Sequence, residues 1–160
     1  MGRGVPAGVM ISLLGVALSC RPPSTVLQPA GMQGATRWGT NGYVAYEPGS
    51  MPLIIVIPHG GTLEPPEMPD RISGTLSRYD TNTLELGRSI ATALLEQTGR
   101  SPYLIITHVH RKKLDTNRDL LEAAQDDSLG TRAWEEFHAF IDEAKAEVVT
   151  KFGSGLLVDL

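Results

Sequence analysis

Two groups of polar side chains in this sequence have the residue types and spacing of a hydrolytic site. In the first group, His59 follows the apolar run Leu53–Ile57 after a single proline, and Glu64 comes five residues later. An imidazole and a carboxylate are common ligands of a catalytic zinc ion, which takes about three protein ligands and leaves one position for water. Two glycines at 60 and 61 would let the backbone fold both side chains back onto one ion. His59 and Glu64 are therefore candidate metal ligands, although a histidine that only caps a strand in a surface loop fits this pattern as well.

The second group is the run Asp115-Thr116-Asn117-Arg118. The guanidinium of Arg118 offers a planar fork for a carboxylate, and Asn117 adds a neutral donor and acceptor. Asp115 can hold the arginine in place. Beside a metal site, such a group suits a substrate with a free carboxylate next to the bond to be cut. The alternative is the start of a helix, with Asp115 or Asn117 as its cap and Arg118 on the surface.

The elements around these groups predict that they meet at one edge of a sheet. Leu53–Ile57 and Tyr103–Thr107 are short apolar runs, typical of strands that are buried on both faces. Asn82 and Glu85 have capping-box spacing, and they predict a helix that ends at Gly99. A strand–helix–strand unit forms a parallel pair through a right-handed crossover. Ligands bind beyond the carboxyl ends of such strands. The apolar face of the predicted helix consists of Leu86, Ile90, Ala93 and Leu94.

Three further elements complete the predicted domain. Residues 42–47 indicate a first strand, and residues 133–152 a second long helix. His138 lies in the apolar stripe of that helix, so we interpret it as a packed, hydrogen-bonded core residue. Residues 156–160 repeat the buried-strand pattern, and we expect Leu53–Ile57 to lie between them and Tyr103–Thr107, with all three parallel. Residues 42–160 therefore form an α/β domain with a mixed, mainly parallel sheet between helices.

The amino terminus predicts export and a lipid anchor. Residues 5–18 are apolar but too short to span a bilayer comfortably, and they follow a single basic residue, Arg3. The small residues before Cys20 resemble a bacterial lipoprotein signal, in which this cysteine is lipidated; an ordinary cleaved signal peptide is the alternative. Residues 21–41, rich in Pro, Gly, Ser, Thr and Gln, predict a flexible tether. We therefore expect a protein of the cell envelope that contacts the membrane only through its lipid.

Composition limits the remaining function classes. A length of 160 residues with 41% hydrophobic and 20% charged residues suits about one globular domain. The net charge of -4 and the aromatic content of 6% argue against nucleic-acid binding. The basic run Arg111-Lys112-Lys113 is too short for a nucleic-acid patch and is more typical of a solvated loop. A small-molecule or peptide substrate is favoured instead.

Three motifs occur in order along the predicted domain. They are Pro58-His59-Gly60-Gly61 after one strand, Asp115-Thr116-Asn117-Arg118 after the next, and Val158-Asp159-Leu160 in the last. Together they resemble the N-formylglutamate amidohydrolase family and, more distantly, aspartoacylase and the zinc carboxypeptidases. The resemblance covers about residues 43–160. It implies a zinc-exopeptidase-like sheet between helices, one Zn²⁺ ion, and hydrolysis of an amide bond in an acidic N-acyl amino acid or peptide-like substrate.

The resemblance also implies a role for each site residue. His59 and Glu64 would bind the zinc. Related sites often space His and Glu by three residues rather than five, so Asp80 is the alternative to Glu64. A zinc-bound water with a lowered pKa would attack the amide carbonyl. The remaining roles are polarisation of that carbonyl by Arg111 and binding of the substrate carboxylate by Asn117 and Arg118, with Asp115 beside them.

The sequence departs from the family pattern at its carboxyl end. In the family, a second histidine follows the strand that corresponds to residues 156–160, and a general-base glutamate lies further on. Because this sequence stops at Leu160, we expect a fragment that exposes apolar surface and a sheet edge. Two alternatives stay open. Either His108 or His110 completes the metal site, or the protein is a non-catalytic envelope lipoprotein that binds an acidic peptide or amino acid on the same fold.

Overall fold

The computed structural model describes residue 1, residues 34–72, residue 78 and residues 80–160. The predicted signal segment, its lipidation site Cys20 and most of the predicted tether lie outside the described residues. Among the helices that are described, none combines the length and the apolar character needed to cross a membrane.

The described part of the chain folds as an α/β unit of five strands and three α-helices. The strands are β1 (Arg37–Trp38), β2 (Val44–Glu47), β3 (Leu53–Ile57), β4 (Tyr103–Thr107) and β5 (Leu156–Asp159). The helices are α1 (Thr83–Thr98), α2 (Leu120–Ala124) and α3 (Ser128–Phe152). A single 3₁₀ turn, Thr40–Gly42, connects β1 to β2.

The sheet is mixed and has the strand order β1-β2-β4-β3-β5. β3 pairs in parallel with β4 on one side and with β5 on the other, while β1 and β2 are antiparallel additions next to β4. The prediction that β3 lies between the other two apolar runs, all parallel, is confirmed. Val56 in β3 is in register with Ile105 and with Asp159, so the carboxyl ends of the three parallel strands meet at one edge of the sheet.

Helices cover both faces of this sheet, which explains the continuous apolar runs of β3 and β4. The long helix α3 buries a stripe at helical spacing against one face, and α1 covers the other. Asp127 caps α3 by accepting a hydrogen bond from the main-chain nitrogen of Gly130 at 2.6 Å, and the helix therefore begins five residues before the predicted start. The buried stripe of α3 includes Ala133, Phe137, Ile141, Ala144 and Val148.

α1 begins after Asn82 and ends at Gly99 as predicted, but its capping and part of its packed face differ from the prediction. Asn82 occupies the cap position but has a φ of 66° and makes no side-chain capping bond, so the predicted capping box does not form. Leu86 is exposed, whereas Ile90 packs on the sheet as predicted, together with Leu84. The helix lies so close to β3 that a Cβ atom on Gly87 would come within 2.4 Å of the Cδ1 atom of Ile57.

Two sequence-based boundaries also need correction. Arg37–Trp38 pairs with β2 as strand β1, so the folded unit begins inside the segment that was predicted to be tether up to residue 41. β5 is in the sheet, but it is not buried on both faces as predicted. Leu156 is 61% exposed, and Leu157 is also exposed. The cause is its position, because β5 is the edge strand of the described sheet and has a neighbouring strand on one side only.

Candidate active site

The imidazole of His59 lies between two carboxylates at the carboxyl edge of the parallel strands. The residue follows β3 directly and is only 5% exposed. Its Nδ1 atom is 3.1 Å from Oδ2 of Asp80, which precedes α1. Its Nε2 atom is 2.7 Å from Oδ1 of Asp115, which follows β4. The main-chain nitrogen of Asp80 also donates to the carbonyl of His59 at 3.1 Å. The ring is therefore held by carboxylates from two separate parts of the chain.

Asp115 is the fully buried centre of this network. Its Oδ2 atom accepts a hydrogen bond from Nε of Arg111 at 2.8 Å, and its Oδ1 atom accepts one from the main-chain nitrogen of Asn117 at 3.2 Å. Burial alone would raise the pKa of this carboxyl, but the hydrogen bonds from His59 and Arg111 outweigh burial and hold the pKa below its usual range. Asp115 was predicted beside the substrate and as a support for an arginine; in the structure its carboxylate is fully buried and bonded to His59 and Arg111.

Two buried arginines surround the carboxylates. Arg111 donates to Asp115, and its Nη1 atom lies 3.6 Å from Oδ1 of Asp80, so it spans the two acids that hold His59. Arg71 places Nη1 at 3.1 Å from the carbonyl of Arg111 and 3.5 Å from Oδ2 of Asp115. Its Nε atom also donates to the carbonyl of Glu122 at 3.2 Å. The sequence analysis missed Arg71; only its position in a long polar loop hinted at a role.

The structure does not bring Glu64 together with His59, so the predicted pair of ligands is not formed in it. Its carboxylate pairs with Nζ of Lys112 at 2.6 Å, and the side chain is 47% exposed. The cause is a short parallel bridge between Leu63 and Val109, which extends the pairing beyond β4. Glu64 directly follows Leu63 and therefore lies beside Lys112, which comes shortly after Val109. The position beside Nδ1 of His59 belongs to Asp80, the alternative ligand.

Asn117 and Arg118 lie next to this network and face a more open region. They line a pocket of about 380 Å³ together with residues of α2 and α3. The Nε atom of Arg118 is 3.7 Å from Oδ2 of Asp115 and 3.7 Å from Oε1 of Glu122, and the side chain is 40% exposed. Burial raises the pKa of the nearby Asp159 carboxyl, while His59 and then Asn117 act to lower it.

The other histidines occupy different surroundings. His108 packs on Trp38 with 5.0 Å between the ring centroids, and burial lowers its pKa. In His110, Nδ1 accepts a hydrogen bond from the main-chain nitrogen of Lys112 at 3.1 Å. His138 donates from Nε2 to the carbonyl of Thr116 at 3.1 Å. This agrees with its interpretation as a packed, hydrogen-bonded residue.

The metal-binding capacity of the described residues is limited to a pair. Two ligand atoms at 2.0–2.2 Å from one tetrahedral ion are about 3.3–3.6 Å apart, and the 3.1 Å between Nδ1 of His59 and Oδ2 of Asp80 is close to that distance. In the part of the chain that the structure describes, no three His, Cys, Asp or Glu side chains are grouped so that they could hold a metal ion. His59 and Asp80 thus fit a metal as its first two ligands.

The fold and the site together do not identify a family. No family model, curated protein or solved structure matches this chain. The resemblance carried by the three motifs therefore stays a prediction, and the functional argument rests on the geometry around His59.

Proposed function

We propose that the protein is a zinc-dependent amidohydrolase of the N-formylglutamate amidohydrolase type with a zinc-exopeptidase-like fold. The observation that carries the proposal is the placement of His59 between Asp80 and Asp115 at the carboxyl ends of parallel strands. Histidines that bind a metal usually donate their other ring N–H to a carboxylate, which fixes the tautomer and the ring orientation. Asp115 is placed to accept such a bond from Nε2 of His59. The proposed ligands are therefore Nδ1 of His59 and the carboxylate of Asp80.

The two carboxylates around His59 suggest how a metal would enter. Metal ligands bind in their deprotonated form, so an ion between Nδ1 of His59 and Asp80 would replace any proton shared between them. Asp115 would keep the Nε2–H bond, and the ring would not need to turn.

The remaining residues have separate roles in the proposed reaction. Zinc, when bound, supplies Lewis acidity and activates water for attack on an amide carbonyl. Arg111 is held by Asp115 with Nη1 close to Asp80, and from there it can stabilise negative charge that develops on the carbonyl oxygen. Arg118 and Asn117 line the open pocket and suit the free carboxylate of an acidic N-acyl amino acid or peptide.

Zinc titration of paired carboxylate variants tests the proposed ligands. Asp80→Asn and Glu64→Gln each remove one carboxylate from the same long loop region. We expect isothermal titration calorimetry to show that Glu64→Gln binds zinc as the wild type does, whereas Asp80→Asn binds at least about tenfold more weakly. Equal losses in both variants, or a wild-type protein that binds no zinc, would contradict the proposed site.

Hydrolysis of matched substrates tests the proposed reaction. N-acetyl-L-glutamate and its α-carboxamide differ only in the carboxylate next to the scissile amide bond, and N-formyl and N-acetyl pairs vary the acyl group. We expect N-acetyl-L-glutamate to be hydrolysed faster than its α-carboxamide, and Arg118→Gln to reduce this preference without reducing zinc affinity. If Arg118→Gln lowers zinc binding and hydrolysis equally, Arg118 has a structural role.

Binding without catalysis is the second candidate function. Both ring nitrogens of His59 are already bonded to carboxylates, and the network around Asp115 is closed without an ion. Such a network could simply support Asn117 and Arg118 as a binding site for an acidic peptide or amino acid. Affinity for N-acetyl-L-glutamate that is unchanged by a chelator, together with no hydrolysis, would favour this candidate over the first.

A further inference from the structure

Two side chains of α3 hold the main chain on both sides of Asn117. The indole Nε1–H of Trp134 donates to the carbonyl of Arg118 at 2.8 Å. The Nε2–H of His138 donates to the carbonyl of Thr116 at 3.1 Å. Trp134 and His138 are four residues apart, so they lie on one face of the helix, one turn above the other. We refer to residues 116–118 as the 116–118 loop.

We infer that Trp134 and His138 position the 116–118 loop, and with it the two side chains proposed to bind the substrate carboxylate. The inference rests on the proposed function. Trp134, His138 and all three loop residues line the same pocket of about 380 Å³. A group that fixes the loop from α3 therefore also sets the shape of the space in which an acidic ligand would bind.

The other side of the loop is held by the network around His59. The side chain of Asp115 accepts a hydrogen bond from the main-chain nitrogen of Asn117 at 3.2 Å. The main-chain carbonyl of Asp115 accepts one from the main-chain nitrogen of Arg118, also at 3.2 Å. The hydroxyl groups of Thr116 and Thr107 are 2.9 Å apart, which ties the loop to the end of β4. Trp134 and His138 close the remaining side, so the loop is fixed between the sheet edge and α3.

The support itself is stiff enough for this role. The rings of Trp134 and His138 are in contact, with 4.0 Å between their centroids, and Phe137 meets His138 edge-on at 5.5 Å. Phe137 belongs to the buried stripe of α3. Burial lowers the pKa of His138, which favours the neutral ring with its proton on the nitrogen that donates to Thr116. A donor carried on a packed helix holds a loop more accurately than one carried on another loop.

Amide exchange in Trp134→Phe tests this inference without any assay of activity. The substitution keeps an aromatic ring and removes the N–H donor. One hydrogen bond of this kind corresponds to about a fivefold change in an equilibrium, so we expect the main-chain amides of Asn117 and Arg118 to exchange roughly three- to tenfold faster by ¹H–¹⁵N NMR. Amides of β4 should keep their wild-type rates. Trp38→Phe is the matched control, because it makes the same change in β1 and should leave the loop amides unaltered.

Ligand affinity and a conservative variant separate positioning from a general loss of stability. Calorimetry with N-acetyl-L-glutamate should show a three- to tenfold weaker Kd for Trp134→Phe and for His138→Leu. His138→Gln keeps an N–H donor and should recover part of this loss. Unchanged loop exchange with an unchanged Kd in Trp134→Phe would overturn the inference, as would equal effects of Trp38→Phe. If the wild type binds no acidic ligand, the proposed function fails, and loop exchange alone decides whether Trp134 and His138 hold the loop.

Discussion

Replacement of Asp115 by Asn should be among the most destabilising single-atom changes at the site. The carboxylate is fully buried and accepts hydrogen bonds from His59 and Arg111, and Arg71 lies 3.5 Å away. The substitution leaves two buried guanidinium groups without their central anion. Breaking a buried ion pair by removing one partner costs about 3–5 kcal/mol, out of a typical total of about 5–15 kcal/mol. We expect Asp115→Asn to lose a large part of the free energy of unfolding at pH 7.

The pH dependence of this loss of stability is a second, independent test of the role of Asp115. The pKa of Asp115 in the folded protein lies below its value of about 3.9 in the unfolded chain. Its contribution to stability is therefore complete above about pH 4 and is lost as the pH falls through the folded pKa. In urea titrations followed by circular dichroism, the difference between wild type and Asp115→Asn should be full at pH 7 and should shrink below about pH 4.

The control for this experiment is Glu64→Gln. Glu64 forms an exposed pair with Lys112, and such pairs contribute little to stability. A loss of less than about 1 kcal/mol in Asp115→Asn, or a loss no larger than that of Glu64→Gln, would refute the central role of Asp115. A difference that does not change between pH 7 and the acid range would refute its ionised state.

Three further predictions concern other parts of the chain. A Cβ atom on Gly61 would lie 2.3 Å from the carbonyl carbon of His108, so Gly61→Ala should lower the free energy of unfolding by about 1–3 kcal/mol in urea titrations. Burial and then the hydrogen bond to Glu67 raise the pKa of Tyr43 to about 12; this contribution to stability is complete below about pH 10 and is lost as the pH rises further. Tyr43→Phe should remove one tyrosinate absorbance step near that pH, and an unchanged titration would contradict the assignment. We also propose the lipid anchor, so Cys20→Ser should move the protein from the membrane fraction to the soluble fraction, and unchanged fractionation would end that proposal.

The strands of the site were predictable because their signal is local and strong. Leu53–Ile57 and Tyr103–Thr107 are apolar runs that few structures other than a covered strand can bury. The right-handed crossover rule then places their carboxyl ends side by side, which brings His59 near residues 115–118. The short strand Arg37–Trp38 could not be found in this way, because two residues of mixed character carry no periodicity.

The identity of the partner carboxylate was not predictable, because it depends on the path of a loop. Both Glu64 and Asp80 follow His59 in a segment rich in proline and acids, and composition does not distinguish them. The deciding contact is the bridge between Leu63 and Val109, a main-chain pairing without an apolar pattern. The same holds for Arg71, which bonds to main-chain carbonyls. Any residue can supply such carbonyls, so the sequence does not mark them.

The loop that follows β3 is tied to the ends of two different strands before α1 begins. Arg71 donates from its main-chain nitrogen to the carbonyl of Lys112 at 2.7 Å, and Asp80 bonds to His59 through both main chain and side chain. Lys112 follows β4 and His59 follows β3. The register between these two strands therefore sets the spacing of Arg71 and Asp80. A slip of that register would move the two residues relative to each other even with the loop sequence unchanged.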